Sequence, residues 1–211
     1  MKPDKDAVSS LYCIADELQA VATLGLQYAR NDYERERYEK VLAASRRIIN
    51  IADGKSVIND YSRYHDISGH ICPLLGADAA VFRNGQILLI KRLDNGLWGT
   101  PGGMVEVGET LTNAALRELK EETGLNGKVV RLLGIFDSRI WKSQLKSQLY
   151  HVIFEVKVTR GKPVTSNETT DYGFFSADKL PPLSNGHPQI VPFLFKLFGG
   201  EMESPYFDAP D

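Results

Sequence analysis

Glu118, Glu121 and Glu122 stand at positions i, i+3 and i+4 of a stretch rich in helix formers, Ala114, Ala115, Leu116 and Leu119. A helix there projects all three carboxylates from one face. Like charges at that spacing repel at a cost of roughly a few tenths of a kcal/mol per pair. A helix that is merely solvated intersperses lysine, as Lys120 does on another face. A hard divalent cation turns the repulsion into affinity, because Mg²⁺ takes carboxylate oxygens, water and substrate phosphates in octahedral geometry. The expected reading is a Mg²⁺ or Mn²⁺ cluster held by Glu118, Glu121 and Glu122. Upstream, Gly102 and Gly103 let the chain turn sharply and bring bare backbone, including the Gly102 carbonyl, to the same face. Arg117 lies four residues before Glu121 and can hold Glu109 in a bidentate pair, bracing loop against helix.

The whole string has a fixed order. Gly103 is followed by five residues, Glu109, seven residues, Arg117-Glu118-Leu119, one residue, Glu121-Glu122, one residue, then Gly124-Leu125. This resembles the Nudix box of the Nudix hydrolases at every defined position. The resemblance implies an α/β/α sandwich with a mixed sheet, whose loop-helix-loop box binds divalent cations. It also implies hydrolysis of a nucleoside diphosphate linked to a moiety X, giving a nucleoside monophosphate and phosphorylated X. In that family the general base often comes from a loop before a late strand. The matching segment here is Ser166-Asn167-Glu168-Thr169-Thr170-Asp171, with Glu168 preferred and Asp171 second. The candidate catalytic set is thus Glu168, Glu121 and Arg117.

A wider likeness touches the ends of the chain. Leu26-Gln27-Tyr28, Asp32 to Tyr38, and Leu180-Pro181-Pro182-Leu183-Ser184 are similar to a bacterial subgroup with a helical N-terminal extension. That subgroup includes CDP-choline and ADP-ribose pyrophosphatases, and its extension resembles a dimerisation module. Asn185-Gly186-His187 replaces an arginine found after the Leu-Ser in some members, and Asp137 to Gln148 differs from their His/Pro-rich loop.

The elements that must position the acids follow from periodicity. Leu11, Ile14, Ala15, Leu18, Val21, Ala22 and Leu26 recur at helical intervals and predict a helix over Val8 to Tyr28. Asn31 with Glu34 reads as a capping box, and Tyr38, Val41, Leu42, Ser45, Ile48 and Ile49 mark a second helix ending near Asp53-Gly54. So small a helical pair cannot bury both stripes alone. It should dock on the rest or on a second copy, and a homodimer is expected. From Lys55 to Gly76 no period holds. The division expected is a helical domain over 1–70, a catalytic domain over 71–203 and a tail over 204–211.

Strands are expected over Ala77 to Phe82 and Gln86 to Arg92, joined by an Asn84-Gly85 hairpin turn, and over Leu97 to Thr100. The acid-bearing helix should run from near Thr110 to Gly124. Strands over Lys128 to Phe136, over Leu149 to Val158 and at Phe174-Phe175 precede a last helix over Gln189 to Phe198.

Composition narrows the partners. The 211 residues are 43% hydrophobic and 25% charged with net charge −2, which excludes collagen-like or disordered chains and shows no basic excess for phosphate-backbone binding. The small-molecule reading is therefore set above an RNA-directed activity, at a 5′ end or as a 3′ exonuclease, and the presence of Glu118, Glu121 and Glu122 sets it above a non-catalytic nucleotide sensor. The start, Met-Lys-Pro-Asp-Lys-Asp, has no apolar run behind it. A cytoplasmic protein without a membrane partner is expected. Cys13 and Cys72 have no pairing pattern and read as buried small hydrophobes. His65, His70, His151 and His187 show no ligand spacing. Arg92, Asp137, Arg139 and Trp141 are candidate substrate contacts through charge-assisted bonds and stacking.

Overall fold

A computed structural model describes residues 5–54, 72–106, 108–142 and 148–209. The chain divides at Pro73 and Leu74 into two compact units. Among the described residues no helix is long and apolar enough to cross a membrane.

The first unit pairs α1 (Lys5–Tyr28) with α2 (Asp32–Ala52). Asn31 caps α2 by accepting from the Glu34 N–H at 2.8 Å. Glu34 reaches back to the Arg30 N–H rather than to that of Asn31, one residue beyond the expected box. The Tyr12 hydroxyl, early in α1, donates to Asp53 at the end of α2 at 2.6 Å. Gly25, late in α1, lies under the Tyr38 ring, where any Cβ would overlap it. These ties make the helices antiparallel. Ala15, Ala22, Leu42 and Ser45 are buried, whereas Ile14, Val21, Leu24 and Tyr28, one stripe of α1, are exposed. Cys13 is partly buried and Cys72 exposed, which corrects the expectation that both are core residues. Most of the irregular Lys55 to Gly76 stretch lies outside the described residues.

The second unit is built on a five-stranded mixed sheet in the order β5-β1-β7-β6-β9, with β1 at Leu74–Ala80, β5 at Gly102–Met104, β6 at Asn126–Asp137, β7 at Leu149–Arg160 and β9 at Tyr206–Phe207. A second sheet joins β2 (Phe82–Arg83), β3 (Gln86–Arg92), β4 (Trp98–Gly99) and β8 (Thr169–Phe175). Strand alternation sorts side chains to two faces. Ala77, Ala79, Val152, Phe154 and Val156 pack with Ala114, Ala115 and Leu119 of α3 (Leu111–Thr123). Ala80, Ile87, Leu89, Leu133, Phe136 and Ile153 pack with Ile190, Val191, Leu194 and Leu197 of α4 (His187–Gly199). Helix, sheet and helix make the expected α/β/α sandwich.

Local signals act as physics demands. Asn84 and Gly85 both take positive φ, at 52° and 74°, the requirement of a two-residue hairpin turn. Thr110 caps α3 by accepting from the Asn113 N–H, and Gly124 ends it in the left-handed conformation at φ 71°. Two elements differ from expectation. The Gly102-Gly103 turn is strand β5, because glycines opposite Asp78 and Ala77 let it lie against β1. Tyr206–Phe207, within the segment read as a tail, pairs with β6, since Tyr206 packs on Phe136 and Asp208 accepts bonds from the Asp137 N–H and Trp141 Nε1 at 2.7 Å each.

Candidate metal centre

The cap at Thr110 fixes the rotation of α3, so Leu119 enters the core while Glu118, Glu121 and Glu122 face β5 and the loop before β8. Between them lies a cleft of about 510 Å³ lined by Met104, Glu106, Arg117, the three α3 acids and Ser166, Asn167 and Glu168. Glu118 and Glu122 are 9% and 5% exposed, whereas the Glu121 side chain is 59% exposed.

Close approach of backbone makes the cleft narrow. A Cβ on Gly103 would overlap the Glu118 carboxylate, and one on Gly102 would overlap Asp78. The contact Gly102 makes with α3 is through its N–H, which donates to Glu122 Oε2 at 2.8 Å, rather than through its carbonyl. Arg117 binds Glu109 by two bonds, Nη2 at 2.7 Å and Nε at 3.2 Å. The same guanidinium donates to Glu118 Oε1 at 2.8 Å, to Glu121 Oε2 at 3.1 Å and to the Met104 carbonyl at 3.0 Å. One side chain thereby holds the loop, β5 and two acids of α3 together.

The electrostatics follow from that packing. Burial pushes the Glu122 carboxyl up to about 8 from an ordinary 4.5, against the pull of the Gly102 N–H. Burial also raises Glu118, opposed by Arg117. The Arg117 hydrogen bonds hold Glu109 below the usual carboxylate range. Glu109 in turn is the largest influence raising the guanidinium, which stays charged. A carboxyl as buried as Glu122 keeps its proton near neutral pH unless a cation shares its site. The donors facing the cleft are carboxylate oxygens, the ligand type that hard divalent ions prefer. The donor chemistry therefore suits such an ion, while among the described residues no three acidic, cysteine or histidine side chains already stand together as a metal cage.

Other expected site residues separate into near and far. Glu168 lines the cleft, whereas Asp171 pairs across the sheet with Lys91 and does not line it. Arg92 is clamped to Asp94 through Nε at 3.1 Å and Nη2 at 2.9 Å, close enough to feel the charges of Glu122 and Asp78. Asp137, Arg139 and Trp141 do not line the cleft. Trp141 meets Phe136, Phe193 and Tyr206 edge-on, so the stacking role read for it is replaced by a place in an aromatic corner.

Sequence reasoning missed a buried polar chain behind β5. His151 Nδ1 lies 3.0 Å from Asp78 Oδ2, Thr100 Oγ1 donates to Asp78 Oδ1 at 3.4 Å, and His187 Nε2 lies 3.2 Å from the same hydroxyl. Burial works against a charged His151, but the Asp78 carboxylate outweighs it and raises the imidazole. Burial lowers His187. The signal available was Asp78 itself, one carboxylate inside the run Ala77, Ala79, Ala80, since a buried acid needs partners.

The family profile of the NUDIX domain matches residues 73–196. The chain belongs to the Nudix family. This Nudix hydrolase also matches, over residues 10–57, the family described as a UDP-X-like, N-terminal oligomerisation domain. It is 31% identical over 199 residues to "Putative ADP-ribose pyrophosphatase YjhB" of Bacillus subtilis (strain 168), covering 92% of this chain and 95% of that protein. An ADP-ribose pyrophosphatase of Methanocaldococcus jannaschii is 34% identical over 125 residues, or 58% of this chain and 73% of the relative. Among solved structures, a UDP-X diphosphatase superposes with a TM-score of 0.61 at 28% identity, covering 95% of this chain and 99% of that one. Nudix hydrolases generally use divalent metal ions.

Proposed function

We propose that this Nudix hydrolase splits the pyrophosphate bond of a nucleoside diphosphate joined to a second moiety, yielding a nucleoside monophosphate and a phosphorylated X. The observation that carries this reading is the burial of two carboxylates against β5, Glu118 on Gly103 with no room for a Cβ between them and Glu122 on the Gly102 N–H. Glu118, Glu122 and Glu121, with the Gly102 carbonyl, would hold Mg²⁺ or Mn²⁺. Such an ion neutralises pyrophosphate charge and supports a hydroxide nucleophile. Arg117, braced by Glu109, keeps the acids gathered and stays charged whatever the pH. Glu168, across the cleft, takes the proton of the attacking water as general base. Arg92, clamped to Asp94 within reach of the charges of Glu122 and Asp78, offers a guanidinium to a phosphate.

ADP-ribose heads the substrate candidates, because two similar proteins bear that activity in their names. A UDP-linked compound follows from the structural relative, and CDP-choline from the subgroup resemblance. Product analysis on a panel of ADP-ribose, UDP-sugars, CDP-choline and capped RNA, with Mg²⁺ or with EDTA, tests the reading. Metal-dependent release of a nucleoside monophosphate is expected. Exclusive cleavage of RNA, or turnover undiminished in EDTA, would overturn it.

The oligomer proposed is a homodimer through the helical unit. Ile14, Val21, Leu24 and Tyr28 form an exposed apolar stripe on α1 of the kind that a second copy covers. Light scattering at micromolar concentration should give twice the chain mass, and a monomer would refute the pairing.

A further inference from the structure

Glu168 belongs to no helix or strand, yet its backbone is tied on both sides. Its carbonyl accepts from the Leu93 N–H at 2.9 Å, and its own N–H donates to Ser166 Oγ at 3.1 Å. The next residue, Thr169, is 3% exposed. Its hydroxyl donates to the Glu122 carbonyl oxygen at 3.0 Å while accepting from the Ser166 N–H at 2.9 Å. The Glu122 carbonyl lies in the last turn of α3, where carbonyls lack partners within the helix. A single hydroxyl thus joins the turn that carries the most buried acid to the loop that carries Glu168.

The strand is irregular at this point. Lys91 faces Asp171 and Arg92 faces Thr169, leaving Thr170 as an extra residue in the ladder. Such bulges re-aim side chains next to active sites. Here Thr169 is buried while Thr170 is exposed. The buried threonine is then in line with Glu122 rather than with solvent.

We propose that Thr169 is a positioning residue that sets the separation between the Glu168 carboxylate and the acidic face of α3. The proposal rests on the reading of Glu168 as general base. It assigns Thr169 no contact with substrate: its effect passes through the Ser166-Asn167-Glu168 backbone. Displacement of a base by a fraction of an ångström to an ångström lowers turnover without changing ground-state binding.

Thr169→Val keeps the branched shape and deletes all three hydrogen bonds of the hydroxyl, to the Glu122 carbonyl, the Ser166 N–H and, at 3.2 Å, Ser166 Oγ, whereas Thr169→Ser keeps the hydroxyl. With ADP-ribose or whichever panel compound is turned over, Thr169→Val should lower kcat about 10-fold with KM within about twofold, and Thr169→Ser should restore kcat to within about threefold. Mn²⁺ titration followed by electron paramagnetic resonance should show the Thr169→Val affinity within about twofold of the parent, since the Glu122 carboxylate is untouched. In a Glu168→Gln background the Thr169→Val change should add less than about twofold, because there is no base left to misplace. Ser166→Ala, which frees the Glu168 N–H at an accessible site, should give a smaller loss of about threefold that also disappears in the Glu168→Gln background. This second variant decides the matter if Thr169→Val does not fold. Full activity of Thr169→Val, or losses that multiply in the double variants, would overturn the positioning role while leaving the base in place. Full activity of Glu168→Gln would instead overturn the base reading on which it rests.

Discussion

Two helices of this chain carry glutamates whose charged neighbour lies one turn away, and they use them in opposite ways. On α2, Glu36 faces Lys40 at 2.6 Å with side chains 62% and 73% exposed, a pair dissolved in water. On α3, Glu118 and Glu122 have the same four-residue spacing, yet both are buried against β5. Spacing alone therefore does not make a site. The difference lies in what stands opposite: solvent and an interspersed base for α2, and two glycines at near contact for α3. A carboxylate in the first setting is neutralised cheaply, and in the second it holds a proton or requires a metal.

The sharpest way to break this contrast is Glu122→Gln. Its shape is preserved, so circular dichroism should be unchanged while kcat falls about 10³-fold, equivalent to ~4 kcal/mol of transition-state stabilisation. An active variant would reduce the α3 acids to the status of those on α2. Next comes Arg117→Lys, which keeps the charge but loses the fork that spans Glu109, Glu118, Glu121 and Met104. Steady-state kinetics should show kcat/KM lowered about 30-fold.

A smaller effect concerns pH in the metal-free protein. The Glu122 carboxyl is raised to about 8, so the folded chain binds its proton more tightly than the unfolded chain does. That contribution stabilises at acid pH and is lost as pH climbs from the ordinary carboxylate range through about 8. In EDTA the melting temperature of the parent should therefore fall relative to that of Glu122→Gln over this window. Saturating Mn²⁺ should reverse the order, and parallel curves in EDTA would refute the burial argument. Least of all, Glu36→Gln on α2 should leave both melting temperature and turnover unchanged in calorimetry and kinetics.

The contrast also explains what could be read in advance. Thr110, Gly124, Asn84 and Gly85 act through neighbours a few residues away, so the boundaries of α3 and the β2–β3 turn were legible from the chain alone. The α3 acids were legible because their order and spacing repeat a known box. The Asp78, His151, Thr100 and His187 chain was not, since its members are brought together by the pairing of β1 with β5 and β7 and by the start of α4. Trp141 failed for the same reason: an aromatic after a strand suggests a stacking surface until Tyr206 and Phe193 arrive from distant segments to occupy it. Long-range packing, which carries no local sequence signature, decided each of these.

Strand β9 bears on how the enzyme should be handled. Its two residues hydrogen-bond along the outer edge of β6, and the family profile stops at residue 196, before they begin. A fragment trimmed to that borrowed limit would end within α4 and bare a row of unpaired amides and carbonyls. Such an edge recruits other chains. Truncation there should yield an aggregating product, since it also removes Asp208, whose carboxylate fastens the segment after β9 to Trp141.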